Sequence, residues 1–268
     1  MILEILISTM NRDNLSFLDD MFDNNYNHHQ ILIINQTNKG KILKSNHAKV
    51  RVINSFEYGL SKSRNLAIKN AVGDLCLFAD NDIKFIENFD KIIKRAFLKD
   101  SKTSIVKFKI DTFCGKAYKK YPDSSKRLTR NKDVFTASSI EIAFRRSDIL
   151  DNNILFNTFF GLGSYFDSGE EYLFLKMALN QGLIINFENE YIVKHAFERS
   201  TSNMASDKFV KAQAALYFHD YKNLSYLFLL KFILFLLKKR LIQINEVFEK
   251  TKIGIDAINQ YKKLSKEQ

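Results

Sequence analysis

Short apolar runs alternate with helix-patterned segments through the first part of the chain, and each run stops at a cluster of polar residues. Ile2 to Ser8, Gln30 to Asn35 and Lys49 to Asn54 read as buried strands. Asn14 to Asn24 reads as a helix whose apolar stripe is Leu15, Phe17, Leu18, Met21 and Phe22. Ser61 to Ala71 reads as a second helix, with Ser61 or Ser63 as cap, Leu66, Ala67 and Ala71 facing inward, and Gly73 as its stop. A βαβ rhythm of this kind demands a mostly parallel sheet covered by helices on both faces. Ligands of such sheets bind at the carboxyl ends of the strands. Ser8-Thr9, Asn35-Gln36-Thr37 and Asp80-Asn81-Asp82 all fall at that edge.

The last cluster ends the apolar strand that begins at Asp74. Side chains alternate along an extended chain, so Asp80 and Asp82 point the same way and repel each other. A divalent metal with a phosphate-bearing ligand would relieve that repulsion. The alternative is a polar turn leading into the next helix.

Asn88 to Leu98 reads as a helix, Ser104 to Ile110 as a strand, and residues 111–133 as an irregular basic segment that suits a solvated loop. Val134 to Phe144 reads as a strand, and Phe156 to Gly169 as a glycine- and aromatic-rich loop. Glu170 to Asn180 is a helix with acids in its first turn, closed by Gly182. Leu183 to Phe187 and Tyr191 to His195 are two further strands. Ala205 to Phe218 and the very apolar Leu224 to Ile242 are helices; the second contains Lys231 and ends in Lys238, Lys239 and Arg240. That helix is too short and too charged to span a bilayer. It either packs on the main domain or lies at an anionic membrane surface.

With 268 residues, 46% of them hydrophobic and 13% aromatic, disorder is excluded and a full core is affordable. Met1 to Ile7 lacks a basic leader and reads as a first strand, not a signal peptide. Cys76 and Cys114 have no metal or disulfide spacing, which points to reduced thiols and the cytoplasm. Lys and Arg outnumber Asp and Glu by 41 to 30, a net +11 that favours anionic partners.

These residues, taken in order, resemble the family 2 inverting glycosyltransferases over roughly residues 1–200. Ser8-Thr9-Met10-Asn11-Arg12 is similar to the family's opening segment, and Gly59 to Ala67 to its arginine–asparagine stretch. Asp80-Asn81-Asp82 stands at its D-x-D, Gly169-Glu170-Glu171 at its G-E-D, and His195 with Arg199-Ser200 at its closing histidine. The resemblance implies a Rossmann-like domain over 1–200, α/β with a mixed, mostly parallel sheet, and a C-terminal helical extension over 201–268. It implies that Asp82, with Asp80 and His195, holds Mn²⁺ or Mg²⁺, Asp80 lying nearer the ribose. Ser8, Thr9, Asn35, Arg64 and Asn65 would bind the nucleotide-sugar donor. Glu171 stands for the family's catalytic aspartate, and Glu170 for the glutamate before it. Glu in place of Asp lengthens the base by one methylene, so either acid can serve, with Glu171 ahead.

The expectation is therefore a cytoplasmic enzyme, peripheral at the inner face of the membrane. It would transfer a sugar, from a donor expected to be UDP-linked, to a growing surface or capsular glycan on a lipid diphosphate. Nucleic acid is not an expected partner. A sugar-nucleotide nucleotidyltransferase is the alternative enzyme, but Ser8 to Arg12 lacks the glycine-rich phosphate loop it needs. A non-enzymatic basic protein that binds membranes or nucleic acid also fits the charge, although clustered carboxylates repel phosphate without a metal.

Overall fold

The structure, a computed structural model, describes residues 1–197 and 204–267 and divides into two compact units. The first comprises Met1–Asn157 and Glu171–Phe197; the second comprises Thr158–Glu170 and Glu198–Gln268.

One sheet organises the first unit. Its strands are β1 (Leu3–Met10), β2 (Gln30–Gln36), β3 (Val50–Ser55), β4 (Leu75–Asp80), β5 (Lys84–Phe85), β6 (Thr103–Thr112), β7 (Lys126–Leu128), β8 (Ile142–Arg145) and β9 (Ile184–His195). Their order is β3-β2-β1-β4-β8-β6-β9-β5, with β7 paired to β9. β1 to β4 pair in parallel, and β8 lies antiparallel between β4 and β6. That inversion returns β6, and β9 beside it in parallel, to the direction of β4. Met10, Gln36, Ser55, Asp80, Thr112 and His195 thus end their strands at one edge.

Both faces of the sheet are covered, as its unbroken apolar strands require. On one side α1 (Phe17–Phe22) and α3 (Phe89–Lys99) bury Phe17, Met21, Ile93 and Phe97 with Ile5, Ile7 and Leu77. On the other lie α2 (Leu60–Asn70) and α6 (Glu170–Asn180), where Phe174 stacks on Phe156 at 4.4 Å and meets Phe78 at 5.8 Å. Two short helices, α4 (Asn131–Val134) and α5 (Arg146–Asp151), flank β8 in sequence.

Three helices, α7 (Asp207–Tyr221), α8 (Ser225–Lys238) and α9 (Val247–Leu264), make up most of the second unit. Ser206 caps α7 by accepting from the Phe209 amide at 3.3 Å. The Phe160 and Phe166 rings meet Tyr261 of α9 at 5.3 and 5.7 Å. Gly254 lets α8 and α9 approach closely, since a Cβ there would stand 2.5 Å from Leu229 Cδ1. No helix of the described residues is long and apolar enough to cross a membrane.

Several local expectations need correction. Residues 134–144 are not one strand: Ser138 and Glu141 form a capping box over a 3₁₀ turn, Ser139–Glu141, and only Ile142–Arg145 is extended. Ser-x-x-Glu is a helix-start signal, and it outweighed the apolar alternation. The two expected strands at 183–187 and 191–195 are the single strand β9, with a bulge that shifts its partners from Phe187 to Tyr191 while β6 advances from Lys107 to Lys109. Neither Ser61 nor Ser63 caps α2; Gly59 takes that place and both serines lie buried inside the helix. The basic segment 111–133 is not wholly a solvated loop, for it contains β7 and the buried amine of Lys119. The helix expected over Leu224–Ile242 stops at Lys238, because Arg240 adopts φ 57° and the Leu241 and Arg240 amides return to the Leu236 and Leu237 carbonyls. That is a Schellman ending with arginine where glycine is usual.

Candidate active site

Arg64 is the centre of the site. Its position on α2 turns the guanidinium under the strand ends, where its side chain is only 3% exposed. Nη1 donates to Glu171 Oε1 at 3.1 Å, and Nη2 donates to Ser139 Oγ at 2.7 Å and lies 3.5 Å from Asp80 Oδ1. Ser139 Oγ in turn donates to Asp80 Oδ2 at 3.4 Å. The guanidinium also lies over the Phe156 ring, 5.5 Å from its centroid. Arg64, Asp80 and Glu171, far apart in sequence, thus form one connected charge cluster in the first unit. Glu170 is buried and is grouped with the second unit. Gly169 before it has φ 107° and faces Leu216, whose Cδ1 would stand 2.7 Å from a Cβ, so glycine is required there.

Asp82 and His195 meet beyond this cluster. Asp82 Oδ2 stands 3.5 Å from His195 Nε2, an ion-pair distance too long for a strong hydrogen bond. Interaction with His195 lowers the Asp82 pKa against the opposing effect of burial; interaction with Asp82 raises that of His195, again against burial. His195 Nδ1 is 2.7 Å from the Ala196 carbonyl. In the tautomer that donates to this carbonyl, Nε2 is the nitrogen that faces Asp82, the arrangement usual for a metal-binding imidazole. Among the described residues no group of three or more His, Cys, Asp or Glu side chains could hold a metal ion. The expected set of Asp80, Asp82 and His195 is not brought together: Asp80 is turned to Arg64 and Ser139, which leaves one carboxylate and one imidazole, and a cation held there would need most of its shell from its own ligands. Arg199 and Ser200 lie outside the described residues.

The remaining expected residues build walls. Asn35 is fully buried; its Oδ1 accepts from the Arg12 amide, and its Nδ2 donates to the Arg12 carbonyl and Asn54 Oδ1, each at 3.0 Å. Asn65 makes a reciprocal pair with the backbone of Phe156, both bonds 2.8 Å. Ser8 accepts from Ser63 Oγ at 2.9 Å. Thr9 is buried at the same strand end, and its Oγ1 has no hydrogen-bond partner among the described residues.

Ser139 and Glu141 are absent from the sequence-based expectations, and Arg12 appears there only as the end of the opening segment, with no role. Arg12 bonds Asn81, the middle residue of the Asp80–Asp82 motif, through Nε at 3.2 Å when the amide is oriented to accept. Glu141, two residues from Ser139, is wholly buried; its carboxylate lies 2.8 Å from Lys119 Nζ and 3.2 Å from Lys107 Nζ. Burial alone would raise its pKa, but the two ammonium groups hold it below the usual carboxylate value. Burial lowers the pKa of Lys119, and Lys107 adds to this against the pull of Glu141. Tyr121 donates to the same carboxylate at 3.2 Å, so the turn that carries Ser139 is anchored from behind.

No family model matches the sequence, and no curated protein does. Solved structures do match. S. aureus TarS 1-349 aligns over 96% of this chain and 81% of its own, with a TM-score of 0.58 and 16% identity. Its complex with UDP-GlcNAc aligns over 97% and 80%, with a TM-score of 0.60 and 16% identity. Its complex with UDP aligns over 100% and 92%, with a TM-score of 0.57 and 14% identity. At such identities the likeness is one of architecture, and it shows that this chain shares the α/β fold of S. aureus TarS, with a mostly parallel central sheet.

Proposed function

We propose that the chain is an inverting glycosyltransferase that takes its sugar from a UDP-linked donor and passes it to a hydroxyl of a growing surface glycan. The observation that carries this reading is the gathering of Arg64, Asp80 and Glu171 beside Asp82 and His195 at the carboxyl edge of a parallel sheet. The binding of UDP-GlcNAc and UDP by the similar S. aureus TarS supports the choice of donor.

In this reading Asp82 and His195 hold Mn²⁺ or Mg²⁺, which when bound offsets the charge that grows on the departing diphosphate. Asp80, fixed by Ser139 and Arg64, faces the ribose side. Glu171 accepts the proton of the acceptor hydroxyl, and Arg64 holds that carboxylate in place without itself giving or taking a proton. A base set opposite the leaving group favours a single displacement, hence inversion. Thr9 Oγ1 offers a buried hydrogen-bonding group at the nucleoside end.

Calorimetric titration with UDP in Mn²⁺ and then in EDTA tests the donor site, with UDP-sugar turnover measured on the same protein. Binding that needs the metal, with slow release of UDP from one sugar nucleotide, is the expected result. Equal binding in EDTA, or none under either condition, rejects the reading. A basic binding protein without metal dependence would give the first of those outcomes.

A further inference from the structure

The most apolar helix of the chain has two apolar faces, and only one of them is covered. On α8 the stripe Ser225, Leu229, Phe232, Ile233 and Leu236 is buried within the second unit. The opposite stripe, Leu227, Leu230 and Leu234, is 57%, 50% and 51% exposed. A helix that is apolar all round belongs in a core or in contact with lipid. Apolar residues are exposed past the helix end as well: Leu241 at 48%, Ile244 at 81% and, at the start of α9, Phe248 at 80%. Apolar surface of this kind marks a contact site on a soluble unit.

The charges on the same face decide what that contact is. Residues 227, 231, 234 and 238 fall at i, i+4, i+7 and i+11, so Lys231 and Lys238 rise among the exposed leucines. Lys239 and Arg240 follow at the helix end; no acidic residue occurs from Leu224 to Gln243, and the next acids in sequence, Glu246 and Glu249, lie past the turn. Against the same face of a second copy, lysines in mid-patch would be buried without a carboxylate, at a high desolvation cost. At a membrane surface their long stems let the ammonium groups rise to lipid phosphates while the leucines enter the acyl boundary. We propose that the outer face of α8, with the turn that follows it, is a docking surface for an anionic lipid bilayer. The contact is peripheral, with the helix lying in the plane of the interface.

Sedimentation of the full chain with vesicles tests this. The chain should pellet with vesicles of equal parts phosphatidylglycerol and phosphatidylcholine, stay in solution with phosphatidylcholine alone, and be released by high salt. Replacing Lys231, Lys238 and Lys239 with Gln should weaken binding by about fivefold per charge, so about a hundredfold together. Leu227→Asp with Leu234→Asp should abolish it; both positions are exposed, so circular dichroism and UDP titration should match the parent chain. Absence of binding to anionic vesicles overturns the proposal, as does binding that survives the leucine changes. A dimer in light scattering that dissociates on Leu234→Asp assigns the face to a second copy and overturns it equally. UDP titration on each variant keeps this outcome separate from the fate of the donor site.

Discussion

Asp80 and Asp82 are separated by one residue and stand in different chemical surroundings. The inner carboxylate is 35% exposed and is met by the buried guanidinium of Arg64 and the hydroxyl of Ser139. The outer one is 67% exposed and faces an imidazole whose charge depends on pH. A protein partner of fixed charge compensates the first, whereas the second, under the proposed function, meets a cation that arrives with its ligand. Behind the inner half stands a further buried layer, the fully enclosed Glu141 with Lys107 and Lys119. Under the proposed function the inner side, held by fixed protein charge, would position the base, while the more solvent-open outer side would admit and release the diphosphate.

The largest effect expected from breaking the inner half is on chemistry. Glu171→Gln keeps the shape and a hydrogen-bonding group near Arg64 but removes the base, so turnover should fall by about 10²–10⁴-fold. UDP affinity in Mn²⁺ should stay close to that of the parent chain, since Asp82 and His195 are untouched. Near-normal turnover in this variant would transfer the base to another group, Glu170 first.

Next comes the buried layer. Glu141→Gln leaves the ammonium groups of Lys107 and Lys119 facing no carboxylate, and should cost about 3–5 kcal/mol in a urea unfolding titration. The pH dependence has a definite sign. Because the folded pKa of Glu141 is depressed, its contribution is present above the ordinary value of 4.5 and is lost as the pH falls through the lower folded value. The parent chain should therefore lose stability on acidification below that range, and Glu141→Gln should flatten the loss. An unchanged acid limb would mean that other carboxylates dominate.

The two halves were not equally legible from the sequence. Asp80 and Asp82 could be placed because a parallel sheet brings strand ends to one edge whatever the intervening chain does, whereas Arg64 and Glu171 lie on helices and were singled out only through the family resemblance. Ser139 and Glu141 could not be placed, because their roles come from a turn before the inverted strand β8, and no local pattern announces which buried partner a polar residue will meet. Ser138 and Glu141 did carry a capping signal, hidden by the apolar alternation around it. Asn35 was visible as a polar residue at the right edge and Asn65 through the family resemblance, yet their amides close on backbone groups of Arg12 and Phe156, contacts that only the folded loops supply. α9 was missed because its buried positions, Gly254, Ala257, Ile258 and Tyr261, make a weak apolar stripe.

The smallest effect on stability belongs to the outer carboxylate, and it sharpens the contrast most. Asp82→Asn removes one side of a largely solvated ion pair, and such pairs contribute about 0–1 kcal/mol. In EDTA the unfolding curve should barely move. In Mn²⁺ the same variant should lose the metal-dependent part of UDP binding, because an amide oxygen is a poor substitute for a carboxylate on a hard cation. A loss of stability comparable with that of Glu141→Gln would show that Asp82 is structural. The distinction between a fixed inner half and an adaptable outer half would then fail at the residue that defines it.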